Sequence, residues 1–97
     1  METLRFTQRG QEFVSDRIAG ASQINLHLNF ELPDGLSSAI SVERTLDSDT
    51  LGWACCAQRR ANDIYEESIV GIPAGTDIRI RSSVRPTVAK YTFTAQE

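Results

Sequence analysis

Few side chains in this chain of 97 residues are of the types that perform chemistry, and their spacing does not bring them together. The single histidine, His27, stands between two asparagines in an alternating segment, which predicts a solvated position on the polar face of a strand. The one acidic residue near it in sequence on that face is Glu31. Glu66 and Glu67 are adjacent, so on a strand they point to opposite faces and cannot work as a carboxylate pair. We therefore predict no catalytic residues and a protein that is not an enzyme.

The two cysteines, Cys55 and Cys56, are also adjacent. On an extended strand their side chains point apart, so a disulfide between them would require local distortion. We interpret them as two small hydrophobic residues of a buried strand, with a vicinal disulfide or a metal site as the alternative. The segment Asp47-Ser48-Asp49 resembles the start of a calcium loop but lacks the later glycine and the bidentate glutamate. The sequence predicts no metal and no cofactor.

Three arginines near the C-terminal end are the clearest asymmetry of charge. Arg79 and Arg81 share one face at strand spacing, and Arg85 continues the same series. Such a stripe can bind carboxylate or phosphate groups bidentately, which makes these residues a candidate partner surface. The structural interpretation is that they protect an edge strand or pair with Glu43 or Glu66 across the sheet. A mixed-charge surface of this kind favours a protein partner over DNA.

The elements that would position these residues are short strands. Period-two alternation over residues 24–32 predicts a strand with one buried face, and Pro33-Asp34-Gly35 predicts the turn that ends it. Further strands are predicted on both sides of a turn at Gln8-Arg9-Gly10 and at residues 39–46, 50–58, 64–72, 78–84 and 88–95. Residues 50–58 are apolar on both faces, which is typical of a central strand buried on two sides.

Seven to eight short strands with regularly spaced turns predict an all-β fold, an antiparallel β-sandwich, with a small β-barrel as the alternative. The length predicts a single domain, residues 1–97. The inner faces define a predicted core: Leu4, Phe6, Val14, Ile18, Ile24, Leu26, Leu28, Phe30, Ile40, Val42, Trp53, Ile78, Ile80, Tyr91 and Phe93.

Charge and hydropathy argue against several classes of protein. The net charge is −3, whereas nucleic-acid-binding modules carry a basic excess, so we predict no nucleic-acid partner. The longest apolar stretches have four or five residues, far below the ~20 that a membrane-spanning helix needs, so we predict no membrane association. The first five residues lack a basic region followed by an apolar core, so we expect no signal peptide and synthesis in the cytoplasm.

Both ends of the chain resemble a group of small proteins encoded among the structural genes of tailed phages and prophages of gut anaerobic bacteria. The resemblance rests on Leu4-Arg5-Phe6-Thr7-Gln8-Arg9-Gly10, Phe13-Val14-Ser15 and Ile24-Asn25-Leu26-His27-Leu28 in the first third of the chain. Near the other end it rests on Pro73, the strand at 78–81 and Tyr91-Thr92-Phe93-Thr94-Ala95. These motifs are structural alternations, so no functional residue is carried over from the group.

The resemblance implies a virion component or an accessory protein of particle assembly. We therefore expect a structural or interaction protein, made in the cytoplasm and assembled into a virion as a capsid-decorating, head-fibre or tail-associated subunit. Its partner would be a second copy of itself or a capsid or tail protein, and proteins of this kind usually work as symmetric homo-oligomers. The alternative is a small carbohydrate- or ligand-binding β-sandwich, for which Trp53 and Tyr65 would supply the exposed aromatic rings.

Overall fold

The computed structural model describes residues 1–47 and 50–96, which form nine strands and no helix. The strands are β1 (Glu2–Thr3), β2 (Phe6–Arg9), β3 (Glu12–Ser15), β4 (Ala21–Asn29), β5 (Ser38–Thr45), β6 (Ala54–Ala61), β7 (Ile64–Ile69), β8 (Asp77–Ser82) and β9 (Val88–Ala95). None of the described residues belongs to a helix that could span a membrane.

The strands form two antiparallel sheets that pack against each other, which confirms the predicted β-sandwich over the barrel. One sheet has the order β1-β9-β4-β7 and the other has the order β2-β3-β8-β5-β6. The pairs are nested along the chain, since β5 pairs with β6, β4 with β7, β3 with β8 and β1 with β9. This nesting is the strand order of a jelly roll, with the β2–β3 hairpin in place of one single strand.

The core lies between the two sheets and is formed by the inward-facing residues of β4, β5 and β8. Ile24, Leu28 and Ile80 are completely buried, as the alternation in the sequence predicts. Most of the predicted core is buried: Leu4, Val14, Ile18, Ile24, Leu26, Leu28, Phe30, Ile40, Val42, Ile78 and Ile80. Phe6 and Tyr91 pack at its margin. The sequence therefore places the inner faces of β4, β5 and β8 correctly. Val14 is buried on the other face of its sheet, opposite Arg81, where it lines a surface cleft.

The prediction of a central strand at residues 50–58 is wrong. The strand begins four residues later, at Ala54, and β6 is the outermost strand of the five-stranded sheet. Cys55 and Cys56 are both exposed and free. Trp53 precedes the strand and is half-buried outside the hydrophobic core. Alanine and cysteine make both faces of this strand apolar, but their side chains are small. Leaving them exposed to water therefore costs little hydrophobic free energy.

The smaller differences between the prediction and the structure lie at the ends of strands and in one turn. The strand predicted at 24–32 is β4, which ends at Asn29, although Phe30 is still buried. Phe93 is 45% exposed because β1 covers β9 only at Lys90 and Tyr91, so the ring lies where β9 has lost that neighbour. The turn predicted at Asp47-Ser48-Asp49 lies partly outside the described residues. Asp47 itself accepts hydrogen bonds from Thr50 Oγ1 and from the Leu51 amide.

Candidate functional site

Two of the three predicted arginines form a charged cluster on the outer face of the five-stranded sheet. Glu43 on β5 lies directly opposite Arg79 on β8, and its Oε1 accepts a hydrogen bond from Arg79 Nε at 2.7 Å. Arg81 Nε donates to the same oxygen at 3.3 Å, and Arg81 Nη1 reaches Glu12 on β3 at 3.4 Å. The pairing with Glu43 that the sequence offered as one alternative is therefore present.

Arg85 does not belong to this cluster. Strand β8 ends at Ser82, so Arg85 lies in the loop between β8 and β9 and the strand periodicity no longer fixes its direction. Its guanidinium carbon lies 5.0 Å from the centre of the Phe13 ring, a cation–π distance. The predicted stripe of three arginines thus separates into a pair on the sheet and one exposed arginine beyond the strand.

Trp53 joins the pair from the other side, and this contact was not predicted. The centre of its ring lies 4.3 Å from the guanidinium carbon of Arg79 and 5.4 Å from that of Arg17. Arg17 in turn donates from Nη1 to Asp77 Oδ2 at 3.0 Å. The indole therefore orders two guanidinium groups on the surface of the sheet, where a tryptophan of the core was expected.

A cleft of about 540 Å³ opens beside Trp53. It lies between the β2–β3 hairpin, the segment that follows β3 and the segment that precedes β6. Its lining combines hydroxyl, acidic, basic and aromatic side chains: Thr7, Arg9, Val14, Ser15, Asp16, Arg17, Trp53 and Arg79. The volume lies in the range of ~300–1,000 Å³ that is typical of small-molecule sites.

A second polar cluster closes the side of the sandwich where β6 and β7 lie. Arg59 Nε donates to Glu67 Oε1 at 3.2 Å, and the Tyr65 hydroxyl donates to the other oxygen of that carboxylate. Burial, together with the hydrogen bond to Glu67, raises the pKa of the Tyr65 hydroxyl well above its usual value. Tyr65 thus faces the seam between the sheets, so it is not an open aromatic platform for a sugar.

The histidine and the two cysteines lie on different sheets, and none of them lines the cleft beside Trp53. His27 lies on the outer face of the four-stranded sheet, and its Nδ1 is 3.1 Å from Glu66 Oε1 on β7, which is its register neighbour. Although Cys56 is exposed as a residue, its sulfur is partly buried against Val42 O, to which it donates, and this partial burial raises the pKa of the thiol and lowers the thiolate fraction at neutral pH. Among the described residues, no group of three or more histidine, cysteine, aspartate or glutamate side chains is placed to hold a metal ion.

The sequence missed the contributions of Arg9, Asp16 and Arg17 to the cleft. Arg9 is the last residue of β2, while Asp16 and Arg17 directly follow β3, and the pairing of β3 with β8 brings them next to Arg79. One local signal for Trp53 was present. Gly52 directly precedes it, and a glycine weakens the interior of a strand. In the structure Gly52 has a φ of 71° and lies just before β6 begins.

The chain was compared with protein-family models, with curated proteins and with solved structures, and none of the three comparisons finds a match.

Proposed function

We propose that this chain is a non-enzymatic structural and interaction protein that assembles through the side of the sandwich formed by β6 and β7. The observation that carries the proposal is that both strands end their sheets on this side. Within the described residues β6 pairs only with β5, and β7 pairs only with β4. Strands of eight and six residues thus present unpaired backbone donors and acceptors, which pair readily with another chain.

Charge supports a second copy as the partner. Arg59 and Arg60 lie on β6, while Glu66 and Glu67 lie on β7 of the same side. A two-fold axis would place β6 of one copy against β7 of the other, so that basic and acidic residues face each other twice. Arg60 and Glu66 are both exposed. Within the chain Arg60 Nη1 donates to Ser37 Oγ and Glu66 Oε1 lies 3.1 Å from His27 Nδ1, so a second copy would meet these charges at the surface. The side is therefore self-complementary.

More specifically, we propose that the protein is a virion subunit: a capsid-decorating, head-fibre or tail-associated protein. The resemblance of both chain ends to phage-encoded proteins supports it. Its test is quantitative mass spectrometry of phage-like particles purified from an induced culture of the source strain. We expect the chain at a fixed stoichiometry with a major capsid or tail protein. Its absence from intact particles, with abundant chain in the lysate, would contradict the virion assignment.

Self-association is tested separately by sedimentation velocity over a range of micromolar concentrations. We expect the wild type to form a homo-oligomer and Gln58→Lys, in the middle of β6, to shift it towards monomer, because a lysine on an edge strand opposes pairing. Gln11→Lys, in the turn between β2 and β3, makes the same chemical change elsewhere and serves as the control. A wild type that is monomeric throughout, or two variants that behave alike, would contradict assembly through β6.

One observation favours a second candidate function, a small ligand-binding or carbohydrate-binding module. Trp53 lies outside the core and lines a cleft, as the ring of a binding site would. Because Trp53 is the only tryptophan, its fluorescence reports on this place alone. An emission that acrylamide quenches and that a saccharide shifts would support the module. A blue-shifted, quencher-resistant emission that no ligand alters would contradict it.

A further inference from the structure

The cleft beside Trp53 contains arginine side chains that are held in place before any ligand arrives. Arg79 is fixed on one side by Glu43, through Nε, and its guanidinium lies against the ring of Trp53. No hydrogen bond to a described residue uses the terminal Nη atoms of Arg79. These donors therefore remain available in a fixed orientation, which reduces the conformational entropy that binding would cost.

Arg9 adds a second source of donors. Its side chain is exposed, lines the cleft and makes no ion pair with any residue that the structure describes. A guanidinium fork binds a planar carboxylate through two parallel N–H···O bonds, so the lining is suited to that group.

The balance of charge limits which anion fits. The lining carries three arginines and one aspartate, in a protein whose net charge is −3. Glu43 and Asp77 neutralise part of this positive charge through Arg79 and Arg17, although neither carboxylate lines the cleft. A partly compensated site of this kind suits a single negative charge better than a phosphate or a polyanion.

Asp16 and Thr7 indicate what should accompany the carboxylate. Asp16 presents acceptors to the cleft and would repel a second anionic group, but it would accept hydrogen bonds from hydroxyl groups. Thr7 offers an exposed hydroxyl that can both donate and accept. The indole of Trp53 supplies an apolar surface between these polar groups. A ring that carries several hydroxyls and one carboxylate satisfies all of them.

We propose that this cleft binds an acidic saccharide, a sugar unit that bears one carboxylate, with Arg9 and Arg79 on the carboxylate and Asp16 on the hydroxyl groups. The inference rests on the second candidate function above and names its ligand class. It does not depend on assembly through β6 and β7, because no residue of either strand lines the cleft.

The test is a titration of the full chain in which binding is measured by Trp53 fluorescence and by isothermal titration calorimetry. The probes are the methyl glycosides of glucuronic acid and of N-acetylneuraminic acid, with the methyl esters of the same sugars as uncharged counterparts and inorganic phosphate as the plain anion. We expect saturable binding of at least one acid and at least about tenfold weaker binding of its ester, because the ester carries no negative charge and cannot accept the two parallel hydrogen bonds that a guanidinium donates to a carboxylate.

Variants locate the site. Arg9→Gln should weaken the acid about tenfold without unfolding the protein, because Arg9 is exposed and outside the core. Arg85→Gln removes an exposed arginine that stacks on Phe13, away from the cleft, and should leave the affinity unchanged. Equal losses in the two variants would mean a diffuse charge effect and would overturn the proposed site.

The remaining outcomes separate the two levels of the proposal. Equal binding of acid and ester would overturn the acidic class while leaving a carbohydrate-binding module. Binding of phosphate as tight as that of the acid would overturn the saccharide. A folded protein that binds none of the probes in calorimetry would overturn the acidic saccharide, and a further null result with neutral oligosaccharides would count against the second candidate function itself.

Discussion

Glu43 shows how one carboxylate can order a whole surface. It is 8% exposed, it lies between Arg79 and Arg81, and both arginines donate to the same oxygen. We predict that Glu43→Gln lowers the free energy of unfolding by about 1–3 kcal/mol, because a neutral amide leaves the largely buried Arg79 guanidinium without its counter-charge and Arg81 with only the exposed Glu12. Urea denaturation at neutral pH measures this change.

Glu12→Gln is the matched control for that substitution. Glu12 meets Arg81 at 3.4 Å, but half of its side chain is exposed to water. Solvent screens such a pair, so we expect a loss of only about 0–1 kcal/mol. If both variants lost the same stability, Glu43 would have no special place beneath the arginines, and its burial would have to be attributed to packing alone.

The individual residues of the site also show what the alternation of side chains along a strand can predict and what it cannot. Arg79, Arg81 and Glu43 were placed correctly on outward faces because their strands are regular and period two fixes direction. Arg85 was misplaced because β8 ends at Ser82, three residues before it. Nothing in local spacing could bring Trp53 to Arg79, since that contact arises from the order in which strands β3, β8, β5 and β6 lie side by side.

At the scale of elements, β4 carries the part of the core that the sequence showed most clearly. Phe30 continues its inner face past the end of the strand and is 2% exposed, and its amide donates to Asp63 O at 3.0 Å. Phe30→Ala should therefore cost ~3–5 kcal/mol, through lost apolar burial and the cavity left behind. Chemical denaturation measures the change, and a mutant with the wild-type midpoint would contradict the assignment of this inner face.

The seam between β6 and β7 gives a prediction that depends on pH. The raised pKa of Tyr65 means that the folded state holds this proton more tightly than the unfolded chain does, where the hydroxyl titrates near ~10. Its contribution to stability is present in full below that value and is lost as pH rises towards the folded pKa. We predict that wild type loses stability more steeply than Tyr65→Phe as pH rises above ~10.

Denaturation midpoints of the two proteins between neutral pH and strongly alkaline pH test this. Tyr91, whose pKa burial and the nearby carboxylates of Glu2 and Asp16 also raise, is present in both proteins and cancels in the comparison. Parallel stability curves would show that Tyr65 titrates as an ordinary surface phenol, and the contact with Glu67 would then not persist in solution.

The error over β6 has a physical cause at this same scale. A strand that is apolar on both faces is typical of a central position, but Ala54, Cys55, Cys56 and Ala57 are small enough to lie exposed at little cost. Whether a strand ends a sheet depends on its neighbours, and no pattern within eight residues contains that information. In contrast, β4 and β8 carry large residues on alternate positions, so their burial was predictable.

For the molecule as a whole, topology does not choose between the two proposed functions. Jelly rolls serve both as viral capsid domains and as lectin domains, so the strand order is compatible with either. The two proposed functions use different surfaces. The side formed by β6 and β7 offers backbone edges and complementary charge, while the outer face beside Trp53 offers a cleft with fixed arginines. No residue of β6 or β7 lines the cleft, so the two proposals do not compete for the same side chains.

Nested pairing also sets how quickly the chain can fold. The pair of β1 with β9 joins Glu2 to Tyr91, across nearly the whole sequence, and β3 with β8 joins Val14 to Arg81. Each such contact requires the closure of a long loop before it yields any stabilisation, and proteins dominated by non-local pairing fold in about milliseconds to seconds.

We predict refolding in that time range, monitored by Trp53 fluorescence after dilution from denaturant in a stopped-flow instrument. The rate should not change with protein concentration, because the core forms within one chain, and the assembly proposed through β6 would come after folding. A microsecond phase carrying the full amplitude would contradict the nested order of strands, and a rate that rises with concentration would mean that the second copy is needed for folding itself.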